Sequence, residues 1–237
     1  MIRIALNGAG RMAEAVCRAA AGRAGLEVTS VISPTKPGWE GHPEYLNNLD
    51  RLDPLPDVLI DFSLPDGTEQ AADWCRASGV ALLSGVTGLH DAARNALQQA
   101  AGSVAVLWSP NLSVGVNLLA SLCASVARHM PDDRPVFVHD VHHQWKVDAP
   151  SGTALMLGAA VNEARPAGAP VVEYSSERTG EVIGSHSVTF ELPGEKLVLS
   201  HEAGNRDIFA HGALTAATWL HEQPPGYYTA ADWLGDL

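Results

Sequence analysis

Lysine is scarce in this sequence of 237 residues: of its 15 lysines and arginines, only Lys36, Lys146 and Lys196 are lysines. Acidic residues outnumber basic ones by 27 to 15, which gives a formal net charge of −12 at pH 7. A chain of this sign repels polyphosphate, so we expect neither nucleic acid nor an anionic membrane as its partner. An anionic small molecule would need cations or helix N-termini placed locally around it.

Cysteine is equally rare, and Cys17, Cys75 and Cys123 form no C-x-x-C pair. Their odd number and wide spacing argue against a disulfide framework or a zinc ribbon and favour a reducing compartment. The chain also lacks a signal-peptide core at its N-terminus and any apolar run of about 18 residues. We therefore predict a cytoplasmic protein that does not cross a membrane.

Short apolar runs alternate with helical patterns through the first half of the chain. The runs cover residues 2–6, 28–32, 57–62, 80–83 and 104–108, and helical stretches cover 11–21 and 90–101. This alternation predicts crossover connections and a mostly parallel, Rossmann-like sheet with both faces covered.

The pattern changes after Asn111. Helical stretches cover 112–129 and 151–164, strand-like runs cover 136–142, 171–175, 186–192 and 196–201, and a last helix covers 207–221. The two-residue alternation in 186–192 predicts a sheet with one buried face. The predicted fold is thus α/β, with a dinucleotide-binding domain of residues 1–112 and 204–237 and an inserted α+β domain of residues 113–203.

A glycine-rich loop stands between the first predicted strand and the first predicted helix. It reads Gly8-Ala9-Gly10-Arg11-Met12-Ala13, which is G-x-G-x-x-A in the place that a dinucleotide-binding loop requires. Its glycines permit a tight turn and close approach of a pyrophosphate, and the helix N-terminus supplies N–H donors. The alternative is a glycine-rich turn without a ligand.

The end of the second predicted strand bears on which dinucleotide binds. It reads Ile32-Ser33-Pro34-Thr35-Lys36 and lacks the carboxylate that usually binds the ribose 2′-hydroxyl of NAD. Without that carboxylate a 2′-phosphate is not repelled, and Lys36 and Arg11 add attraction. We expect NADPH to be preferred over NADH; the alternative for Lys36 is an ordinary solvated lysine.

The segment 140–154 concentrates ionisable residues, in the order Asp-Val-His-His-Gln-Trp-Lys-Val-Asp-Ala-Pro-Ser-Gly-Thr-Ala. A predicted strand delivers His142 and His143, and Lys146 follows them. A histidine titrates near neutral pH and can deliver a proton, while a lysine supplies a point charge.

The same segment opens a predicted helix with Pro150 and Ser151. The N–H groups of Gly152 and Thr153 would form an anion site of carboxylate size. Two alternatives compete, a metal site and a plain capped helix beside surface histidines. Adjacent histidines on a strand point to opposite faces and the helical H-x-x-x-H spacing is absent, so we predict no metal.

The motif His-His-x-x-Lys-x-Asp-x-Pro-Ser-Gly-Thr-Ala resembles the signature of the 4-hydroxy-tetrahydrodipicolinate reductases, or dihydrodipicolinate reductases, of the diaminopimelate route to lysine. Further motifs of that family match Gly10-Arg11-Met12, Asp61-Phe62-Ser63, residues 85–88, residues 111–117 and the stretch from Arg206 to Ala213. The resemblance covers nearly the whole chain. The sequence departs from the family pattern at Ala13, Val86 and Pro110.

The resemblance implies an NAD(P)H-dependent reduction of 4-hydroxy-tetrahydrodipicolinate to tetrahydrodipicolinate, by a homotetramer built through the inserted domain. It matches His142 to the proton donor and Lys146 to its partner in proton supply and substrate binding. His143, Gly152 and Thr153 match positions that hold the substrate carboxylates. The expected cofactor contacts are Gly8, Ala9, Gly10, Arg11, Met12, Ser33, Lys36, Gly85, Val86, Thr87, Ser109, Pro110, Asn111, Leu112 and Arg206.

Two other functions would also use the glycine-rich loop. A different NAD(P)-dependent reductase, acting on an amino acid or its semialdehyde, has no need of the His-His-x-x-Lys segment. A non-catalytic NADP(H) sensor has no need of a proton donor, and both His142 and Lys146 are present.

Overall fold

The structure is a computed structural model that describes residues 1–131 and 133–235. It divides into two compact units, one of residues 1–113 and 207–233, the other of residues 114–206 with Leu234 and Gly235. No helix among the described residues has the length and apolar character that a membrane span requires.

Among the described residues, the two units contain eleven strands and seven α-helices. The strands are β1 (Ile2–Asn7), β2 (Leu26–Ile32), β3 (Glu44–Leu46), β4 (Val58–Asp61), β5 (Ala81–Ser84), β6 (Ala105–Trp108), β7 (Val136–His142), β8 (Glu173–Arg178), β9 (Ser185–Leu192), β10 (Glu195–Glu202) and β11 (Gly226–Tyr228). The helices are α1 (Arg11–Ala20), α2 (Pro65–Ser78), α3 (Asp91–Ala100), α4 (Val114–Ala127), α5 (Gly152–Ala164), α6 (Asp207–Leu220) and α7 (Ala230–Leu234).

The first unit contains a seven-stranded sheet in the order β11-β6-β5-β4-β1-β2-β3, in which every neighbouring pair is parallel. Its central strand β4 is buried along its whole length, because helices cover both faces of such a sheet. The strand order reverses direction between β1 and β4, which is where ligands bind in open α/β sheets. The predicted Rossmann-like fold is confirmed.

The second unit contains a four-stranded mixed sheet in the order β10-β9-β7-β8. Strands β10, β9 and β7 are antiparallel neighbours, and β8 runs parallel to β7. One face of this sheet packs on α4 and α5, in a core that includes Leu119, Leu157, Val138, Val188 and Phe190. The predicted second α+β unit is therefore also present.

The elements differ from the sequence expectations mainly at their ends. Helix α4 begins at Val114 rather than Leu112, because residues 111–113 form a turn in which Asn111 Oδ1 accepts a hydrogen bond from Ser113 N. Strand β8 begins at Glu173 rather than Val171, since its pairing with β7 starts there. The three-residue strands β3 and β11 and the five-residue helix α7 lacked a run long enough to predict them. For the fourteen-residue α2 the sequence shows a helix start, at Pro65 and Asp66, without fixing where the helix ends.

Candidate active site

A buried carboxylate joins three strand ends in the first unit. Asp61, at the end of β4, is fully buried. It accepts hydrogen bonds from Asn7 Nδ2 at 3.0 Å, Ser63 Oγ at 2.6 Å, Thr68 Oγ1 at 2.7 Å and Ser84 Oγ at 3.0 Å. These donors come from the ends of β1 and β5 and from the start of α2. Because a buried charge is costly without such partners, this network fixes the loops at the carboxyl edge of the sheet.

The glycine-rich loop takes the geometry that its sequence predicts. Gly8 has φ +107°, and a Cβ there would lie 2.6 Å from the carbonyl oxygen of Phe62. Gly10 caps α1, whose first hydrogen bond runs from Glu14 N to Gly10 O, and a Cβ on Gly10 would meet no atom within 4 Å. The backbone at the start of α1 is therefore open to an anion.

Two cavities flank this edge of the sheet and share Phe62, Ser63 and Leu64. One, of about 450 Å³, is lined among others by the predicted cofactor residues Gly8, Ala9, Gly10 and Ser33. The other, of about 380 Å³, is lined among others by the predicted residues Met12, Gly85, Val86, Thr87, Ser109, Pro110 and Leu112.

The remaining predicted cofactor residues lie elsewhere. Arg11 and Lys36 are exposed and line neither cavity. Asn111 accepts from Ser109 Oγ through its carbonyl and shapes the loop after β6. Arg206 belongs to the second unit, where its Nη2 lies 3.4 Å from His143 Nε2.

These features fit a dinucleotide. Each cavity lies in the size range of small-molecule sites, and the open backbone at Gly10 allows a diphosphate to approach the N-terminus of α1. Loops at the ends of β1, β2 and β4 line the larger cavity, and loops after β4, β5 and β6 line the smaller one. The residues present can therefore hold the two halves of the molecule.

In the second unit, the face of the sheet that packs on the helices changes from apolar to ionisable along its length. On β7, the alternation that buries Val136 and Val138 also buries Asp140 and His142. On β9 the same alternation buries Phe190, Val188 and His186, so the ionisable residue again follows two apolar ones on this face. The register places Asp140 opposite His186, and His186 opposite His201 on β10.

Asp140 is the centre of this ionisable end. It is fully buried, and it accepts hydrogen bonds from Ser176 Oγ at 2.5 Å, Arg178 Nη2 at 3.3 Å and Ser151 N at 3.3 Å. Burial alone would raise the pKa of Asp140, but the hydrogen bonds from Ser176 and Arg178 and the Arg178 charge hold it below its usual value. Asp140 is thus a fixed negative charge.

His142 lies against this carboxylate. Its Nδ1 is 3.2 Å from Asp140 Oδ2, at ion-pair distance but without the direction of a hydrogen bond, and the residue is 7% exposed. Burial and the positive charge of Lys146 lower the pKa of His142, against the opposing effect of Asp140. Lys146 Nζ is itself bonded to Asp148 Oδ1 at 2.8 Å. His142 is therefore neutral at neutral pH in the free chain and positioned to gain a proton when a negative charge arrives.

Two further histidines extend the cluster. The His186 ring lies 5.0 Å from that of His142 and 6.2 Å from that of His201, between ring centres. Burial, with the neighbouring His142 and His201, lowers the pKa of His186 to about 4. Glycines leave room for these rings, since a Cβ on Gly184 would lie 3.1 Å from His142 Nε2 and one on Gly115 would lie 2.9 Å from His201 Cδ2.

The N-terminus of α5 completes this group. Ser151 caps the helix, its Oγ accepting from Ala154 N at 3.1 Å, and it also lies 3.4 Å from His186 Nε2. Gly152 and Thr153 are the first two residues of the helix, and a Cβ on Gly152 would meet no atom within 4 Å. Asp140 thus links the helix start, through Ser151, to His142.

Sequence reasoning missed several members of both sites. Phe62 and Ser63 belong to one quoted motif and Phe209 to another, yet only the cavities show that they line the first site. Asp140 and Ser151 lie inside the predicted segment, where their polarity was the available signal. Arg178, His186 and His201 come from separate strands, and only strand register brings them together.

Comparison with known proteins matches both parts of the chain to one family. Residues 2–112 match the family model described as dihydrodipicolinate reductase, N-terminus, and residues 115–234 match dihydrodipicolinate reductase, C-terminus. The chain is 41% identical to the 4-hydroxy-tetrahydrodipicolinate reductase of Xanthomonas campestris pv. campestris (strain B100), covering 98% of this chain and 97% of that one. It is 39% identical to the enzyme of that name from Stenotrophomonas maltophilia (strain R551-3), covering 98% of each.

Among solved structures, a dipicolinate-bound dihydrodipicolinate reductase from Paenisporosarcina sp. TG-14 has a similar fold. Its TM-score to this chain is 0.86 at 23% identity, over 98% of each chain. A myo-inositol dehydrogenase from Corynebacterium glutamicum has a TM-score of 0.62 at 14% identity, over 99% of this chain and 92% of that one. These likenesses concern the fold.

Proposed function

The chain belongs to the dihydrodipicolinate reductase family, and from that premise we propose how its residues carry out the reaction. It reduces 4-hydroxy-tetrahydrodipicolinate to tetrahydrodipicolinate with NAD(P)H, in the diaminopimelate route to lysine. The observation that carries the residue assignment is the buried His142, paired with a fixed carboxylate and linked through it to an open helix N-terminus. We also place the reaction in the cytoplasm, in line with three cysteines that are all unpaired.

The substrate is a cyclic dicarboxylate, and the second unit offers donors of the right kind. The N–H groups at Gly152 and Thr153 begin α5, where the helix dipole favours a carboxylate. Lys146 supplies a point charge, and His143, 3.4 Å from Arg206 Nη2, supplies a further polar contact. We assign the substrate carboxylates to these residues.

The 4-hydroxy compound first loses its hydroxyl as water, which gives a conjugated cyclic imine. Reduction of that imine also needs a proton, because the ring gains negative charge on its nitrogen side when hydride adds to a ring carbon. The bound dihydronicotinamide supplies the hydride. His142 supplies the proton, since Asp140 stabilises its imidazolium and the incoming carboxylates raise its pKa from the lowered value of the free chain. Lys146 assists, holding the substrate near His142 and contributing charge to the same step.

Replacing the proton donor tests this assignment. His142→Gln should lower kcat about 100-fold or more, the usual contribution of a general acid, while the Kd for NADPH stays within about twofold. The assay couples the enzyme to dihydrodipicolinate synthase with pyruvate and aspartate semialdehyde, and follows the loss of dihydronicotinamide absorbance. His129→Gln, at an exposed position in the same unit, is the control. An unchanged kcat in the His142 variant removes it from catalysis, and a wild-type protein without turnover overturns the function.

We further propose that NADPH is the preferred cofactor. No carboxylate ends β2: Ser33 lines the larger cavity there, and the exposed Lys36 follows three residues later. Asp66 also lines that cavity, but its carboxylate lies 2.9 Å from His90 Nε2. A 2′-phosphate therefore meets a nearby cation without a carboxylate dedicated to the 2′-hydroxyl.

Lys36→Ala tests this preference. The KM for NADPH should rise about tenfold, the usual effect of one charge-assisted contact, while the KM for NADH changes little. Wild-type enzyme with the lower KM for NADH contradicts the preference, and equal changes for both cofactors remove Lys36 from 2′-phosphate recognition.

A further inference from the structure

The loop between β2 and β3 is fastened to the glycine-rich loop by a tryptophan. Trp39 Nε1 donates a hydrogen bond to the carbonyl oxygen of Ala9 at 3.1 Å. The ring is partly buried and meets His42 edge to face, with ring centres 5.7 Å apart. Ala9 is the middle residue of Gly8-Ala9-Gly10, so this bond reaches the centre of the diphosphate loop.

The bond fixes the direction of a backbone donor. The Ala9–Gly10 peptide bond is trans, since the cis bonds of the described chain precede Pro54 and Pro150. In a trans peptide the C=O and the following N–H point in opposite directions. With the Ala9 carbonyl directed to Trp39, the Gly10 N–H is turned to the other side of the chain, and the same bond polarises that N–H.

The neighbourhood of this peptide shows what the donor would meet. Ala9 and Gly10 line the 450 Å³ cavity, and no atom lies within 4 Å of a Cβ placed on Gly10. The start of the β2–β3 loop is held as well, because Tyr45 Oη on β3 donates to the carbonyl of Ser33 at 3.2 Å. Ser33 lines the same cavity. The loop is thus fixed at Ser33 and, through Trp39, at Ala9, and both of these residues line the cavity.

A simpler explanation is that Ala9 merely satisfies the indole N–H, because partly buried tryptophans generally need a hydrogen-bond partner. That explanation predicts a change in stability without a specific change in dinucleotide affinity. The acceptor, however, is the Ala9 carbonyl, one peptide away from the start of α1. Loss of this hydrogen bond should therefore change the affinity for the dinucleotide as well as the stability.

We propose that Trp39 is a positioning residue that orients the Gly10 N–H toward the diphosphate of the bound dinucleotide. This rests on the assignment of the glycine-rich loop as the cofactor site in the proposed function. The diphosphate is common to NADPH and NADH, so loss of the indole N–H weakens both cofactors by the same factor. Lys36 acts on the 2′-phosphate, so its loss weakens NADPH alone.

The experiment compares Trp39→Phe with wild-type protein by calorimetric titration of NADPH and NADH, without substrate. Both Kd values should rise about five- to tenfold and by equal factors, as expected for one hydrogen bond to the loop. Trp219→Phe is the matched control, because Trp219 is a partly buried tryptophan of the same unit that packs on Tyr228 and lines neither cavity. Its Kd values should match those of the wild type.

Amide hydrogen exchange of the ligand-free proteins separates positioning from general destabilisation. In Trp39→Phe, exchange at residues 8–12 should accelerate, while exchange in β4 and β5 stays as in the wild type. Wild-type Kd values in the variant overturn the proposal, as does a loss confined to NADPH or exchange that accelerates through the whole unit.

Failure of the underlying function has a different signature. A wild-type protein that binds both dinucleotides without reducing the substrate overturns the proposed function, and the Kd values of Trp39→Phe still decide the role of Trp39. A wild-type protein that binds neither dinucleotide overturns both.

Discussion

At the scale of single residues, the second unit balances one fixed negative charge against groups that are neutral or positive. Asp140 is held ionised by Ser176 and Arg178, whereas burial keeps His142 and His186 neutral. On the proposed substrate assignment, a dicarboxylate bound at α5 would add negative charge beside His142 and offset the effect of Lys146 on the pKa of His142.

Binding of a substrate-like anion should therefore be coupled to proton uptake by the protein. Binding of dipicolinate at neutral pH is expected to take up as much as one proton per chain, because the pKa of His142 rises from its lowered value as the anion binds. Calorimetric titrations in buffers of different ionisation enthalpy measure this uptake. It should vanish in His142→Gln and persist in His129→Gln. Equal uptake in both variants would assign the proton to another group.

His186 has a consequence for stability. Its pKa is near 4 in the folded chain and near 6.5 when unfolded, so the unfolded state binds the proton first as pH falls. The contribution of His186 to the free energy of unfolding is fully present above about pH 6.5. It decreases as the pH falls from there to about pH 4, by up to roughly 3 kcal/mol in total. Urea unfolding across this range should show the stability advantage of wild type over His186→Gln shrinking as pH falls. A constant difference would contradict the lowered pKa.

The sequence predicts the contiguous part of this site and not the rest. His142, His143 and Lys146 stand within five residues, so their joint presence is visible without a fold. His186 and His201 lie forty or more residues beyond, and they join the site because β9 pairs in register with β7 and β10 pairs in register with β9. Register depends on long-range pairing, which a single sequence does not specify for strands of similar composition.

At the scale of elements, the alternating strand pattern was the most informative signal. In residues 186–192 it predicted the buried face of β9, because alternation and burial share a period of two. The strand-like run 136–142 matches the bounds of β7 to the residue. The three-residue strands β3 and β11 have too few residues to show a period. The contact of Trp39 with the glycine-rich loop was equally invisible, since it joins a loop to a loop.

Replacing each of the two glycines of the diphosphate loop by alanine should affect a different property, stability at Gly8 and NADPH affinity at Gly10. Gly8→Ala is expected to lower the free energy of unfolding by about 2 kcal/mol or more, from the positive φ and the short approach to Phe62. Gly10 has ordinary backbone angles and open space around a Cβ position, so the free energy of unfolding of Gly10→Ala should stay within about 0.5 kcal/mol of wild type. Its methyl group should nevertheless raise the Kd for NADPH, by obstructing the diphosphate. Chemical unfolding and calorimetric titration measure the two effects, and similar losses of stability in both variants would contradict the geometry.

At the scale of the whole molecule, the outer face of the second sheet bears on assembly. Val198 on β10 is 52% exposed, and it pairs through Thr189 on β9 with the half-buried Phe137 on β7, which places all three on the face away from the helices. We propose that this face joins the chains of a homotetramer, in line with the family resemblance.

Val198→Glu tests that assembly. Light scattering on the eluting wild-type protein should give about four times the 25.0 kDa chain mass, and the variant should give less, because charges buried between subunits are costly. Leu55→Glu, at a position 47% exposed in the first unit, should leave the mass unchanged. A wild-type mass of one chain would overturn the tetramer, and an unchanged mass in the Val198 variant would place its interface elsewhere.

The glycines beside the imidazole rings limit how this enzyme can be altered. Gly184 and Gly115 stand where a single added carbon would reach His142 or His201. The space that three rings occupy is thus set aside by residues that carry no side chain and no chemistry of their own. A mutant library that varies only the histidines would change the side chains in this space while its glycine walls stay the same. A library that also varies Gly184 or Gly115 would push the neighbouring histidine ring out of its present position.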